Sequence, residues 1–272
     1  MRAEFATLRP LKNVRMRTSF ASRGVTRLLL VTSLALLSVS QAAELDYAQP
    51  LRLTGTVFAR GTSNVLFRFE RTAIQHSNTV RVLRTFTSPD GKLAARERVT
   101  FVNGKLSAFQ LDQLQIGSQG NTLVTILPNG KHKLAFDYIA GGGGAPKKKT
   151  DNETAEGEVL VGDMIPYFLL SHWDELMRGQ PAKFRFVAQS RLETIGFKLV
   201  KDGDLTWRGK RAVRIRMEPT SVIIAQIVDP LFFIVEKDGA RRVLMYDGRT
   251  TPSIRQGSAW KDLDAVTIYD WD

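Results

Sequence analysis

The sequence contains no cysteine and only three histidines among its 272 residues. The lack of cysteine excludes disulfide bonds, thiol catalysis and thiolate metal sites, so a secreted domain has to be stabilised by its core. The histidines, His76, His132 and His172, are far apart in sequence and have no metal-ligand spacing. We therefore predict no metal site and no cofactor.

Motifs for hydrolytic catalysis are also lacking. The segment 117–120, GSQG, does not match the G-x-S-x-G elbow, and the S-x-x-K match at 258–261 has none of its companion motifs. Asp174 and Glu175 are adjacent on a predicted helix and point in different directions, so they do not face each other across a cleft. We predict a non-catalytic protein with no catalytic residue. A hydrolase with an unrecognised site is the open alternative.

Long apolar runs are scarce, and the clearest one is N-terminal. Residues 28–37, LLLVTSLALL, follow a basic stretch and precede a small-residue site at 40–42. This order is typical of a secretory signal peptide, and the run is shorter than the ~20 residues of a membrane-spanning helix. We predict a signal peptide over 1–42, cleavage near Ala42 and a periplasmic location. A membrane anchor is the alternative.

Most of the remaining chain predicts β-strands. In residues 51–127, Val65, Phe67 and Phe69 alternate with polar or outward-facing positions, the pattern of a sheet with one buried face. Asn103-Gly104 between two such runs indicates a tight hairpin. Similar strands return after residue 183. The predicted fold class is mainly β (α+β), with a curved antiparallel sheet or incomplete β-barrel.

Positive charge exceeds negative charge, with 39 Lys and Arg against 27 Asp and Glu and a formal net charge of +12. The predicted leader contributes +6 of this, which leaves about +6 for the rest. Such a surface favours anionic lipid headgroups, although a solvated surface without a partner is equally open. Arginines opposite the apolar strand faces are interpreted as solvated rather than as a nucleic-acid surface: Arg81, Arg185, Arg214 and Arg216.

Two helices and one loop interrupt the strands. Residues 162–178 predict a helix with an aromatic-rich stripe that includes His172, and Gly179 ends it. Residues 220–228 predict a second helix, apolar on nearly all sides, which ends before Pro230. We expect both helices to cover the concave face of the sheet. Residues 140–156, AGGGGAPKKKTDNETAE, predict a flexible loop within a single domain spanning 43–272.

Two stretches resemble a known family, and they read DELMRGQPAKFRFVAQSRLETIGFKLVKDG and DPLFFIVEKDGARRVLMYDGRT. They are similar to the periplasmic half-barrel carriers of the bacterial envelope, the family of the outer-membrane lipoprotein carrier. The resemblance implies a strongly curved sheet whose apolar concave face is covered by helices and binds acyl chains. It implies no catalytic residue. The loop at 140–156 is a departure from the family.

The sequence therefore predicts a non-catalytic carrier or chaperone with a half-barrel cavity for a lipid or another apolar, acylated ligand. The residues predicted to line it are Phe168, Leu169, Trp173, Ile223, Ile224, Ile227, Phe232 and Phe233. Ordinary core packing is the alternative interpretation of the same residues. The alternative function is a structural or interaction protein of the envelope that uses the segment 221–235 against a partner. Peripheral membrane contact is also expected, whereas nucleic acid is not.

Overall fold

The structure is a computed structural model, and it describes residues 45–141, 146–226 and 229–271. The strands, numbered in chain order, are β1 (Arg52–Ala59), β2 (Val65–His76), β3 (Thr79–Thr87), β4 (Leu93–Val102), β5 (Lys105–Gln113), β6 (Ser118–Ile126), β7 (His132–Ala140), β8 (Lys147–Ala155), β9 (Val159–Leu160), β10 (Ala182–Ala188), β11 (Glu193–Trp207), β12 (Lys210–Pro219), β13 (Leu231–Glu236), β14 (Val243–Gln256) and β15 (Ala259–Asp270). The helices are α1 (Ile165–Ser171), preceded by a 3₁₀ turn at Gly162–Met164, α2 (Trp173–Met177) and α3 (Val222–Ala225).

All 15 strands of the described residues belong to one sheet, and β1 pairs with both β2 and β15. The two edges are therefore β8 and β9. Glu153 on β8 accepts hydrogen bonds of 2.6 Å from the backbone N–H and the hydroxyl of Thr194 on β11, so the β8 edge comes within side-chain reach of the strands near the other edge. The mainly β fold class is confirmed, and the sheet is a nearly closed, barrel-like structure.

Pairing is antiparallel everywhere except between β9 and β10, which are parallel. Consecutive connections consequently alternate between two ends of the sheet. We name one the tip end, where the described connecting residues 60–64, 88–92, 114–117, 141, 146, 189–192, 220–226, 229–230 and 257–258 lie. The opposite end, where α2 leads into β10, is the helix end. The predicted hairpin at the helix end is confirmed, because Asn103 and Gly104 have the positive φ angles, 51° and 69°, that such a turn requires.

The core lies inside the curved sheet and includes the inner faces of α1 and α2. Leu169 and Leu176 have no exposed surface, and they share one apolar cluster with strand residues such as Leu199 and Ile215. A second, smaller cluster lies nearer the tip end, around Phe67 on β2. The barrel interior is thus filled by the chain's own side chains.

The predicted loop at 140–156 is wrong for most of its length, because residues 147–155 form β8. This strand pairs with β7 from Lys147 to Ala155. The edge of β7 presents backbone N–H and C=O groups that need partners, and β8 supplies them. Nearly all β8 side chains stay exposed, which explains why the composition indicated a loop.

The predicted helices are shorter than expected. The segment 162–178 is helical, but His172, at φ −105° and ψ 17°, separates α1 from α2. The second predicted helix, 220–228, is reduced to α3, and residues 227–228 lie outside the described residues. The predicted signal peptide over 1–42 and its cleavage site also lie outside them. Within the described ranges, no helix is long and apolar enough to span a membrane.

Candidate functional site

Four of the eight predicted lining residues meet inside the barrel. Phe168, Leu169 and Trp173 are 3%, 0% and 4% exposed, and Phe233 on β13 joins them in the same core cluster. The Phe168 ring lies 5.1 Å from the Phe184 ring in an edge-to-face arrangement. These residues form a continuous apolar interior, in which they are packed against one another rather than against open space.

The other four predicted residues do not join this interior. Phe232 faces outward, half-buried, 5.3 Å below the guanidinium of Arg214, because neighbouring strand residues point to opposite faces. Ile223 on α3 is 77% exposed and Ile224 is half-buried. Ile227 lies outside the described residues. The second predicted helix therefore contributes no described residue to the core.

Helices α1 and α2 act as a cover over the larger cluster. Their inner face is apolar and buried, whereas Ser171, Asp174, Glu175 and Arg178 on the outer face are exposed. The Tyr167 hydroxyl donates a 2.5 Å hydrogen bond to the carbonyl of Gln49, and the Arg241 guanidinium lies 5.1 Å from the Trp173 ring centre. One contact from each helix thus helps to hold the cover in place.

A buried ionic layer crosses the barrel interior, and sequence reasoning missed it. Arg71 on β2 donates to both carboxylate oxygens of Asp163, at 2.8 and 3.2 Å. Arg84 on β3 donates to Glu97 on β4 at 2.5 Å, and its Nε lies 3.9 Å from Asp163 Oδ1. Two arginines and two carboxylates therefore cancel in formal charge. A buried ion network needs such pairing, because an unpaired buried charge is costly.

Backbone and hydroxyl groups complete the hydrogen bonding of the layer. Arg71 also donates to the carbonyls of Pro50 and Tyr47, at 2.5 and 2.8 Å. Thr251 on β14 donates its hydroxyl to Glu97. Burial lowers the pKa of Arg84, but the carboxylates of Glu97 and Asp163 raise it more, and the net shift is upward. The Arg84 guanidinium therefore stays ionised.

The layer separates the two apolar clusters. Along β2, Phe69, Arg71 and Ala73 point inward in turn, and Phe69 belongs to the smaller cluster whereas Ala73 belongs to the larger one. The signal was present in the sequence, because Arg84 falls on the same strand face as Val82 and Phe86. An arginine on an apolar face indicates a buried partner, and the partner could be found only from the fold.

One buried tyrosine, Tyr47, and one half-buried tyrosine, Tyr167, lie beside the layer and the cover. Tyr47 stacks on Phe101, with ring centres 4.0 Å apart. Burial, followed by the nearby carboxylates of Glu158 and Asp163, raises the pKa of Tyr47 to about 12. Burial also raises the pKa of Tyr167 on α1. These phenols remain protonated at neutral pH.

The histidines lie in separate places. The His172 ring packs on Phe168 at 4.2 Å, and burial lowers the pKa of His132 on β7. Within the described residues, no group of three or more histidine and acidic side chains is arranged to hold a metal ion. A surface depression of about 450 Å³ lies at the helix end beside Pro50 and Trp271, and none of the predicted lining residues contributes to it.

No known protein family, curated protein or solved structure matches this chain. The resemblance to half-barrel carriers remains a prediction from the two sequence stretches. The barrel-like fold is compatible with a ligand-binding carrier.

Proposed function

We propose that the protein is a non-catalytic carrier or chaperone for a lipid or another apolar, acylated ligand, and that it works in the bacterial periplasm. One observation supports this proposal most directly. The nearly closed sheet encloses an apolar interior, and the cover that seals it, α1 and α2, contributes aromatic side chains on its inner face. The aromatic side chains of such a cover could give up their contacts with the sheet and contact an acyl chain instead.

Ligand binding would require displacement of the cover, because the chain's own side chains fill the interior. An acyl chain would replace the contacts that Phe168, Leu169 and Trp173 make with the sheet. Burial of the chain would supply roughly 25 cal/mol for each Å² of apolar surface removed from water, which offsets the lost packing.

The ionic layer determines which residues of the cover could be displaced. Asp163, immediately before α1, is held by Arg71 and lies close to Arg84, so the displaced part begins after it. Gly179, with φ +80°, follows α2 in a backbone conformation that few other residues adopt. The cover would therefore move between residues 164 and 179 while the layer keeps its position.

Native mass spectrometry of the protein purified from its own envelope tests this proposal. We expect a monomer that carries a lipid-sized additional mass and that binds a fluorescent fatty acid after delipidation. Trp173→Phe should weaken fatty-acid binding several-fold, whereas Asp174→Asn on the exposed outer face of α2 should not. A folded protein that extracts no lipid and binds no fatty acid would refute the proposal.

The alternative function is an envelope interaction protein that uses the segment 221–235 against a partner. Only part of the described segment is exposed and could contact such a partner. Residues 231–235 belong to β13, where Leu231, Phe233, Ile234 and Val235 are buried. The exposed part of the segment is confined to α3 and its flanks, among the described residues.

A further inference from the structure

Large apolar side chains are exposed on several separate connections of the tip end. Val222 and Ile223 on α3 are 76% and 77% exposed. Leu93 at the start of β4, Leu114 in the β5–β6 turn and Trp260 near the start of β15 are 37%, 43% and 38% exposed. Each connection would leave such residues in water unless something covers them.

Two other tip-end connections are hydrogen-bonded to the β5–β6 turn and its flanking residues. Gln113 and Gln115 of this turn bond the backbone of Thr251 and Ser253 in the β14–β15 hairpin, at 2.8 and 2.9 Å. The backbone N–H of Gly141, after β7, donates to the hydroxyl of Ser118 at 2.9 Å. The tips of these hairpins are therefore held side by side.

The β10–β11 hairpin and α3 extend this row. Gln189, at the turn of the hairpin, donates to Thr122 on β6 at 3.1 Å and to the carbonyl of Phe109 on β5 at 2.9 Å. The Thr220 N–H, directly before α3, donates to the carbonyl of Gly196 on β11 at 2.9 Å. Hydrogen bonds thus connect α3, through β11, to the same group of tips.

Positive charge surrounds these apolar tips. Four basic side chains of this end are exposed and, among the described residues, have no carboxylate within ion-pair distance. They are Lys147, Lys149, Arg255 and Lys261. Other charges of this end are neutralised locally, as in Lys92–Asp90 and Arg191–Glu193. Asp229 is the acidic residue beside α3. The tip end therefore combines apolar residues with an excess of unneutralised positive charge.

We propose that the tip end docks on an anionic bilayer surface, with Val222 and Ile223 inserted among the acyl chains. Lys147, Lys149 and Lys261 contact lipid phosphates, since basic side chains are attracted to the negative surface of such membranes. Trp260 lies at the headgroup level, where tryptophan is enriched. The docking does not depend on a lipid cargo inside the barrel.

The arrangement favours a membrane over a protein partner. The apolar residues stand on separate protruding tips, whereas a stable protein interface buries a continuous patch of about 800 Å² on each partner. A fluid bilayer accommodates separate insertions without shape complementarity, and its phosphates match the unneutralised lysines. The occupant that fits both observations is therefore an anionic lipid surface.

Co-sedimentation with vesicles tests the apolar part of the proposal. Vesicles of phosphatidylcholine with phosphatidylglycerol should bind the protein, and vesicles of phosphatidylcholine alone should bind it much more weakly. Ile223→Asn should weaken binding at least ~10-fold, because it removes one apolar side chain that the bilayer would bury. The matched control is Ile74→Asn, which changes a residue that is 72% exposed near the helix end and should leave binding unchanged.

The charged part is tested by a double variant. Lys147→Gln with Lys149→Gln should weaken binding to the anionic vesicles about 25-fold, at about fivefold for each lysine. The control pair is Lys105→Gln with Lys133→Gln, which removes two exposed lysines at the helix end. Binding that both pairs weaken equally would show a general charge effect and overturn the specific docking face.

A single-cysteine probe locates the inserted residue, because the chain has no cysteine of its own. An environment-sensitive fluorophore on Ile223→Cys should shift to the blue with anionic vesicles, and one on Ile74→Cys should not. No shift at position 223, or its crosslinking to an envelope protein without vesicle binding, would overturn the proposal. Lipid cargo is measured separately by mass spectrometry, so a protein that docks without cargo refutes the carrier function and leaves this proposal intact.

Discussion

The cover formed by α1 and α2 and the helix α3 are both rich in apolar residues, yet they have opposite environments. Leu169 in the cover has no exposed surface, whereas Ile223 in α3 is 77% exposed. Hydrophobic content alone does not distinguish them. What distinguishes them is which strands each segment connects.

The cover joins β9 to β10, which are parallel neighbours. A parallel pair requires a crossover connection, and the crossover has to pass over one face of the sheet. The concave face is available, so α1 and α2 lie on it and bury their apolar stripe. The connection that contains α3 joins β12 to β13, which are antiparallel neighbours, and it can remain at the end of the sheet. Topology therefore buries one apolar segment and leaves the other in water.

The two segments also differ in how they are anchored. The cover begins at Asp163, which is paired with Arg71 inside the barrel. Helix α3 is capped by Ser221, whose hydroxyl accepts a long bond of 3.5 Å from the Ile224 N–H. The cover is thus attached by a buried ion pair, and α3 by a weak helix cap.

The largest expected effect comes from removal of the anchoring charge. Asp163→Asn leaves Arg71 buried without its carboxylate, and we expect a loss of about 4 kcal/mol in the free energy of unfolding. Denaturant unfolding measures this loss. Asp174→Asn, on the exposed face of α2, is the control and should change stability by less than about 0.5 kcal/mol. Equal effects of the two substitutions would show that the ionic layer contributes no anchoring.

A direct comparison of the two segments gives the next largest effect. Leu169→Ala should destabilise the protein by about 3 kcal/mol, because it creates a cavity in the packed interior. Ile223→Ala should stay within about 0.5 kcal/mol, because the side chain is already in water. Thermal and denaturant unfolding of both variants measure the difference. A large loss at position 223 would contradict the described exposure of α3.

The smallest effect concerns alkaline pH. The pKa of Tyr47, next to the cover, is raised from 10.0 to about 12, first by burial and then by nearby carboxylates. The unfolded chain therefore loses this proton first as the pH rises. The Tyr47 contribution to stability should be unaffected below pH 10 and should fall by about 2 kcal/mol as the pH approaches 12.

Tyr47→Phe isolates this contribution. Its free energy of unfolding should decrease less than that of the wild type between pH 10 and 12, as measured by denaturant unfolding across that range. Helix α3 has no titratable side chain from Ser221 to Gln226, so no corresponding effect is expected there. An identical alkaline loss in wild type and variant would show that the tyrosine is solvated in the folded state.

Local patterns predicted much of the fold correctly. Alternation at Val65, Phe67 and Phe69 predicted β2, and Asn103-Gly104 predicted the hairpin that follows β4. Both features depend on neighbours in sequence, through the period of side-chain direction and the φ angles of the turn. The apolar stripe of α1 and α2 was predicted for the same reason.

Three features could be recognised only from the assembled fold. The exposed side chains of β8 conceal a strand that is held by the backbone of β7. The carboxylate that pairs with Arg71 belongs to Asp163, which is 92 residues away in sequence. Local sequence patterns therefore could not indicate this ion pair. Helix α3 is apolar but lies at the end of an antiparallel pair. Side-chain alternation and turn chemistry are local, and the sequence therefore specifies a β protein. Backbone pairing of an edge, ion pairing across the interior and the burial of a helix depend on distant residues, so they emerge only when the sheet closes.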